Sequence, residues 1–184
     1  MPSLNKSSYV ILGLLSKHDY SGYELKRKIA NFSSFYCSES NAQIYPVLKT
    51  LEAQGLLSSS LDVASGARNK RIYSITTEGK AELMKWLEKD CDAAVYREEF
   101  LVQLSLGQHL TKAQLIKKLQ HYEQSTMEKL ASTQVIINHI KEVHHGQPGE
   151  PYMLLTYDNI KTSLEAKLQW CRKVLKEYQG KNST

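Results

Sequence analysis

From Leu115 onward apolar residues recur at alternating steps of three and four, first as Leu119, Tyr122, Thr126, Leu130, Thr133, Ile137 and Ile140. The pattern resumes as Tyr157, Ile160, Leu164, Leu168, Cys171, Leu175 and Tyr178. Such spacing keeps one face of an α-helix apolar. Between the two runs stands Gly146-Gln147-Pro148-Gly149-Glu150-Pro151, which no helix continues through. Two stripes of about 30 residues each therefore predict an antiparallel helical pair. Their seams exceed what one hairpin can bury, so a partner surface is expected.

Upstream the pattern changes, and the change divides the chain into 1–90 and 95–180. Helix signals alternate through the first ninety residues and end in a hairpin signal, whereas 95–180 carries helical periodicity alone, including a segment Val95 to Leu106 and a long helix capped by Thr111. The 184 residues suffice for two small domains. With 41% hydrophobic and 23% charged residues, and only 9 Gly and 4 Pro, collagen-like and wholly disordered classes are excluded. The longest apolar stretch, Tyr9 to Leu15, is far too short to cross a bilayer and lacks a cleavage pattern behind it. A cytoplasmic chain without membrane contact is expected. Cys37, Cys91 and Cys171 lie far apart and are odd in number, which fits free thiols in a reducing compartment. His139, His144 and His145 have no second ligand set at metal spacing. No Gly-rich phosphate loop or nucleophile motif stands out either, so neither an enzyme, a cofactor nor a metal is expected.

The amino-terminal elements follow from local signals. Tyr9 to Leu15 begins a helix or is its buried end, with Val10, Leu14 and Ile11 as its inner face. Ser21-Gly22-Tyr23-Glu24 is a capping box opening a short second helix, whose last turn collects Lys26, Arg27 and Lys28. A third helix carries Ile44, Val47, Leu48 and Leu51 and stops at Gly55, a natural left-handed terminator. Its start is read at Ser40, where Ser40 and Gln43 offer a second capping box, although Pro46 would also suit a first helical position. Leu56 to Val63 and Ile72 to Thr76 are strand-like and flank a small, basic turn, Ala64 to Arg71. Thr77 then caps a helix through Lys89. Three helices followed by a hairpin form the winged-helix variant of the helix-turn-helix. The expected fold is mainly α: a winged helix-turn-helix with a two-stranded wing, then a long-helix dimerisation domain.

Three runs in this order and spacing carry a resemblance: Tyr20-Ser21-Gly22-Tyr23-Glu24-Leu25; Ile44-Tyr45-Pro46-Val47-Leu48-Lys49-Thr50-Leu51-Glu52 running into Gly55-Leu56-Leu57; and Arg71-Ile72-Tyr73-Ser74-Ile75-Thr76 before Gly79. Together, over roughly residues 8 to 90, they closely resemble the PadR family of bacterial transcriptional regulators. The chain departs from it at Cys37, where the family often has Trp, and at Ala67-Arg68-Asn69, where Pro is frequent. The helical second half resembles the larger PadR subfamily, in which carboxyl-terminal helices build the dimer. The resemblance implies a homodimer that binds double-stranded DNA, with a repressor on a palindromic operator as the expected function. Leu119, Leu130, Ile137, Leu164, Leu168 and Leu175 are then candidate dimerisation residues.

Charge and helical geometry nominate the DNA contacts. Lysine and arginine outnumber acids 12 to 9 up to Asp90 and 12 to 10 beyond, so clustering rather than bulk charge must decide. On the third helix a wheel turns Ala42, Pro46 and Lys49 outward, with Gln43 and Tyr45 on the flanks. A groove-reading helix needs small residues for approach, an amide for base edges and a cation for phosphate. The bland alternative is that Gln43 closes the capping box and Lys49 is a solvated charge. Arg68, Lys70 and Arg71 have no acid near them between Ala64 and Thr77; they are a solvated loop or cations for a DNA backbone. Tyr23, Ser40 and Asn41 complete the candidate DNA-binding set. Trp86, Tyr96 and Trp170 are candidates for an aromatic effector pocket, or simply core. The resemblance also permits activation together with a partner regulator. The rival function is a winged-helix protein-interaction adaptor, whose cationic tip binds an acidic protein.

Overall fold

The computed structural model describes residues 4–36, 44–62, 70–91, 93 and 98–180. Its elements run α1 (Lys6–Leu15), β1 (Tyr20–Ser21), α2 (Gly22–Tyr36), α3 (Ile44–Ala53), β2 (Leu57–Asp62), β3 (Lys70–Ile75), α4 (Thr77–Glu88), α5 (Glu99–Ser105), a 3-10 turn (Gly107–His109), α6 (Lys112–Val143) and α7 (Glu150–Gly180). They fall into two compact units, Met1–Ala93 and Ala94–Thr184.

In the first unit local chemistry sets most helix ends. Ser21 and Glu24 form the capping box: the Ser21 amide donates to Glu24 Oε2 at 2.8 Å, and the Glu24 amide donates to Ser21 Oγ at 3.3 Å. Gly55 terminates α3 with φ +72°, a conformation that costs a side-chain-bearing residue. Pro46 falls within α3. The core joins Ile11, Leu12 and Leu15 of α1, Leu25 and Ile29 of α2, Ile44, Leu48 and Leu51 of α3, Leu57 and Tyr73 of the sheet, and Leu83 of α4.

Four expectations are corrected here. Of the two readings of Tyr9 to Leu15 the structure has the second, the later part of helix α1, which starts at Lys6, where the Asn5 carboxamide accepts the Ser8 amide at 2.9 Å. Its buried face is Ser8, Ile11, Leu12 and Leu15, whereas Val10 and Leu14 are half-buried; a segment apolar nearly all round has no unique stripe, so its neighbours choose the face. Helix α2 extends to Tyr36, which leaves Lys26, Arg27 and Lys28 in mid-helix, because no Gly or Pro stands between Gly22 and Tyr36 to stop it. Helix α4 is capped by Thr76, one residue before the expected Thr77, its hydroxyl accepting the Gly79 amide at 3.0 Å. The wing is also three-stranded, in the order β1-β3-β2 and antiparallel throughout, with Tyr20 opposite Tyr73 and Leu57 opposite Ile75. Two residues of β1 are too few to show an alternation, so only the pairing reveals them.

In the second unit the Thr111–Gln114 capping box opens α6. Buried residues follow at heptad positions: Leu119, Thr126, Thr133 and Ile140 on α6, with Ile137 beside them, and Tyr157, Leu164 and Cys171 on α7, with Leu168 and Leu175. The Thr126 and Thr133 hydroxyls donate to the carbonyls one turn earlier, at 2.7 and 2.8 Å, so neither is an unsatisfied group in the seam. Leu119 packs with Cys171 and Leu175, an early residue of α6 against late residues of α7, so the pair is antiparallel. Leu119, Ile137, Leu164, Leu168 and Leu175, expected against a partner, are thus buried within the chain's own hairpin, and Leu130 is half-buried. The link at 144–149 is short, so closing the two stripes on each other costs little chain entropy. The large apolar side chains that this hairpin leaves exposed include Met127, Val135, Val143, Tyr152 and Leu155.

Candidate nucleic-acid interface

Burial of Ile44, Leu48 and Leu51 turns the opposite side of α3 to solvent, and that side carries Tyr45, Pro46, Lys49, Thr50 and Ala53. Among the described residues Lys49 is in no ion pair. Tyr45 is 55% exposed, yet its ring lies across the start of α2: a Cβ on Gly22 would come within 2.8 Å of its Cε1. Glycine at position 22 therefore lets α3 and its tyrosine approach α2 closely. Tyr23, next in sequence, is 70% exposed and extends the same rim. Tyr45 and Lys49 on α3, with Tyr23 on α2, offer apolar contact, hydroxyl donors and a cation to a polyanionic groove.

The start of β3, which carries Lys70 and Arg71, is tied to two helices. Neighbouring strand residues point to opposite faces, so Lys70 and Arg71 reach in different directions. Lys70 Nζ bonds Glu24 Oε1 of α2 at 3.2 Å. With the Ser21 hydroxyl and amide and then Lys70 all donating to it, the Glu24 carboxyl is lowered to about 2. Arg71 Nη2 bonds both oxygens of Glu52 on α3 at 3.0 Å, while its Nε donates to Ser59 Oγ at 2.7 Å. Ser59 closes the ring by donating to Glu52 Oε1 at 2.6 Å. The guanidinium also lies 5.7 Å from the ring centroid of Tyr73.

The two tryptophans sit in separate aromatic stacks. Trp86 of α4 stacks on Tyr9 of α1 at 4.4 Å, and Tyr9 donates to Glu82 at 3.2 Å. Trp170 of α7 meets Phe100 and Tyr122 edge-on at 6.3 and 6.4 Å, and those two rings stack at 4.0 Å. Below them Glu98 accepts from Tyr122 at 3.0 Å and pairs with Lys167 at 2.9 Å. Burial works against the Glu98 charge, but the Lys167 and Tyr122 hydrogen bonds outweigh it and hold the carboxyl below its ordinary value.

The family model of the Transcriptional regulator PadR-like family matches residues 11–85, and that of the Virulence activator alpha C-term matches 96–179. The chain belongs to the PadR family of transcriptional regulators. One curated relative, the negative transcriptional regulator PadR of Bacillus subtilis (strain 168), is 35% identical over 79 residues, which are 43% of this chain and 43% of the relative. The aligned stretch thus spans less than half of that relative's length. In fold the chain is similar to Bacillus subtilis PadR solved in complex with operator DNA (22% identity, TM-score 0.82, covering 93% of this chain and 98% of that one). It is likewise similar to the same protein solved with p-coumaric acid (20% identity, TM-score 0.78, 96% and 99% covered).

Of the residues expected at a PadR-type DNA surface, Tyr23, Tyr45 and Lys49 come together on the exposed rim of α2 and α3. Ser40, Asn41, Gln43 and Arg68 lie outside the described residues, as do the helix start at Ser40, Cys37, the wing tip and Tyr96. The stretch Ala64 to Thr77 offers Lys70 and Arg71 no acid, and the structure supplies one to each from elsewhere in the chain: Glu24 and Glu52, 46 and 19 residues away. No local window contains such pairs. Glu52 and Ser59 are accordingly site residues that sequence reasoning passed over, and only the register of β2 on β3, with Ser59 opposite Tyr73, could have located them.

Proposed function

We propose that the chain is a sequence-specific DNA-binding repressor, working as a homodimer on a palindromic operator. The observation that carries this is the exposed face of α3, with Tyr45 and Lys49, clamped beside the wing through Glu52 and Arg71. A rigid helix next to a hairpin is the arrangement by which winged helices place side chains in a major groove and a hairpin against the flanking backbone. Bacillus subtilis PadR, a negative regulator seen with operator DNA, supports the reading. Dimerisation falls to the α6–α7 hairpin, through side chains it leaves exposed, such as Val135 and Leu155. Two-fold symmetry would then be mirrored in half-sites about one helical turn apart. An aromatic effector is the third element: the relative was solved with p-coumaric acid, and Trp170, 38% exposed, fronts the Phe100–Tyr122 stack.

Selection of duplexes from a randomised pool by the full-length chain tests the reading. A palindromic consensus bound far more tightly than its shuffled counterpart is expected, together with a dimer in sedimentation at micromolar concentration. Quenching of tryptophan fluorescence by phenolic acids, with release of the selected duplex, tests the effector. Failure to enrich any sequence, with capture of acidic proteins instead, would replace the regulator with an interaction adaptor.

A further inference from the structure

Glu52 occupies a position where electrostatics disfavours an acid. It stands in the last turn of α3, at the negative end of the helix dipole, and one turn beyond the exposed cation Lys49. A carboxylate beside a phosphate backbone would repel it. Yet Glu52 is enclosed in the ring of hydrogen bonds with Arg71 and Ser59, and its side chain is 29% exposed against 54% for Arg71. The guanidinium is thus both neutralised and held in one orientation. Lys70, its neighbour, is held on the other side by Glu24. Both cations at the start of β3 are occupied within the chain.

We propose that Glu52 is a positioning residue that sets DNA specificity: by retaining Arg71 on the α3–wing seam it withholds a cation from indiscriminate phosphate contact. This rests on the DNA-binding reading above. Affinity that comes from phosphate contacts carries no sequence information, so every unpaired cation beside the groove raises random binding and lowers discrimination. The pair is intramolecular and its geometry is fixed by β3, so a phosphate must displace Glu52 before Arg71 can contribute.

The test measures binding of the full-length chain to its selected duplex and to a shuffled duplex of equal length, across a salt series. Glu52→Gln keeps the side-chain size but removes the charge. It should steepen the log–log salt slope on the shuffled duplex by about 0.9 for each further phosphate neutralised, roughly a 3.5-fold larger loss of affinity between 50 and 200 mM salt. The ratio of selected to shuffled affinity should fall at low salt. Glu52→Asp, which restores the charge, should return the slope, and the double variant Glu52→Gln/Arg71→Gln should match the wild type. A merely structural role for Glu52 would change neither slope nor ratio. An unchanged slope in Glu52→Gln overturns the proposal, as does a rise that persists in the double variant. If Glu52→Gln unfolds, the double variant alone decides, since a slope about 0.9 shallower than wild type would mean that Arg71 already neutralises a phosphate. A wild-type chain that binds no duplex at all defeats the DNA-binding reading itself, and this inference with it.

Discussion

Replacing Gly79 by alanine should destabilise the winged-helix unit, the reverse of what the same change does in an ordinary helix. Gly79 lies in the first turn of α4, where Gly→Ala normally gains about 1 kcal/mol through helix propensity and reduced unfolded-state entropy. Here a Cβ would run into the backbone carbonyl oxygen of Leu56 and approach Ile75 Cγ1 at 2.9 Å. That oxygen cannot withdraw freely, because it accepts the Thr76 amide at 3.2 Å, and Thr76 in turn bonds Gly55 O at 2.7 Å and caps α4. Overpacking costs about 1–3 kcal/mol, and loosening the Thr76 bond about 1 kcal/mol more. Against a gain of about 1 kcal/mol, the net loss is about 1–3 kcal/mol. Urea denaturation followed by circular dichroism, with an unchanged m-value, reads it directly. Gly13→Ala in α1 is the control, because a Cβ there meets nothing within 4 Å, and it should be neutral or stabilising by up to about 1 kcal/mol. A Gly79→Ala variant as stable as wild type would refute the close-approach argument and show that β3 and α4 separate without cost.

Glu24 predicts an acid-side effect. Its folded pKa is depressed to about 2, so its contribution is complete above the ordinary value and is lost as pH falls through that window. Glu24→Gln should therefore lower the urea midpoint near neutral pH and converge with wild type at about pH 2; the side chain is 38% exposed, so screening keeps the effect small. Lys49→Ala should weaken selected and shuffled duplexes alike and make the salt slope shallower by about 0.9 for each phosphate it no longer neutralises, as read in a binding titration. Cys171 is fully buried, burial raises its pKa, and its Sγ donates to Leu119 O at 3.3 Å. In a Cys37→Ser/Cys91→Ser variant, a thiol reagent should label no native protein and one equivalent on unfolding.

Sequence alone determined the features governed by residues within a turn or two of one another: the box at Ser21–Glu24, the Thr111 cap, the left-handed stop at Gly55, and the heptad seams of α6 and α7. Their energetics are local, so spacing is sufficient to read them. The outward face of α3 was legible for the same reason, since burying Ile44, Leu48 and Leu51 leaves Tyr45 and Lys49 no other place. Tertiary structure alone decided the buried face of α1, the third strand at Tyr20–Ser21, and the partners of the wing cations. It also decided that residues of the two long stripes pack against each other within the chain. Each of these depends on residues far apart in the chain: an apolar segment without a unique stripe takes the face its neighbours offer, and an arginine takes whichever carboxylate the strand register delivers.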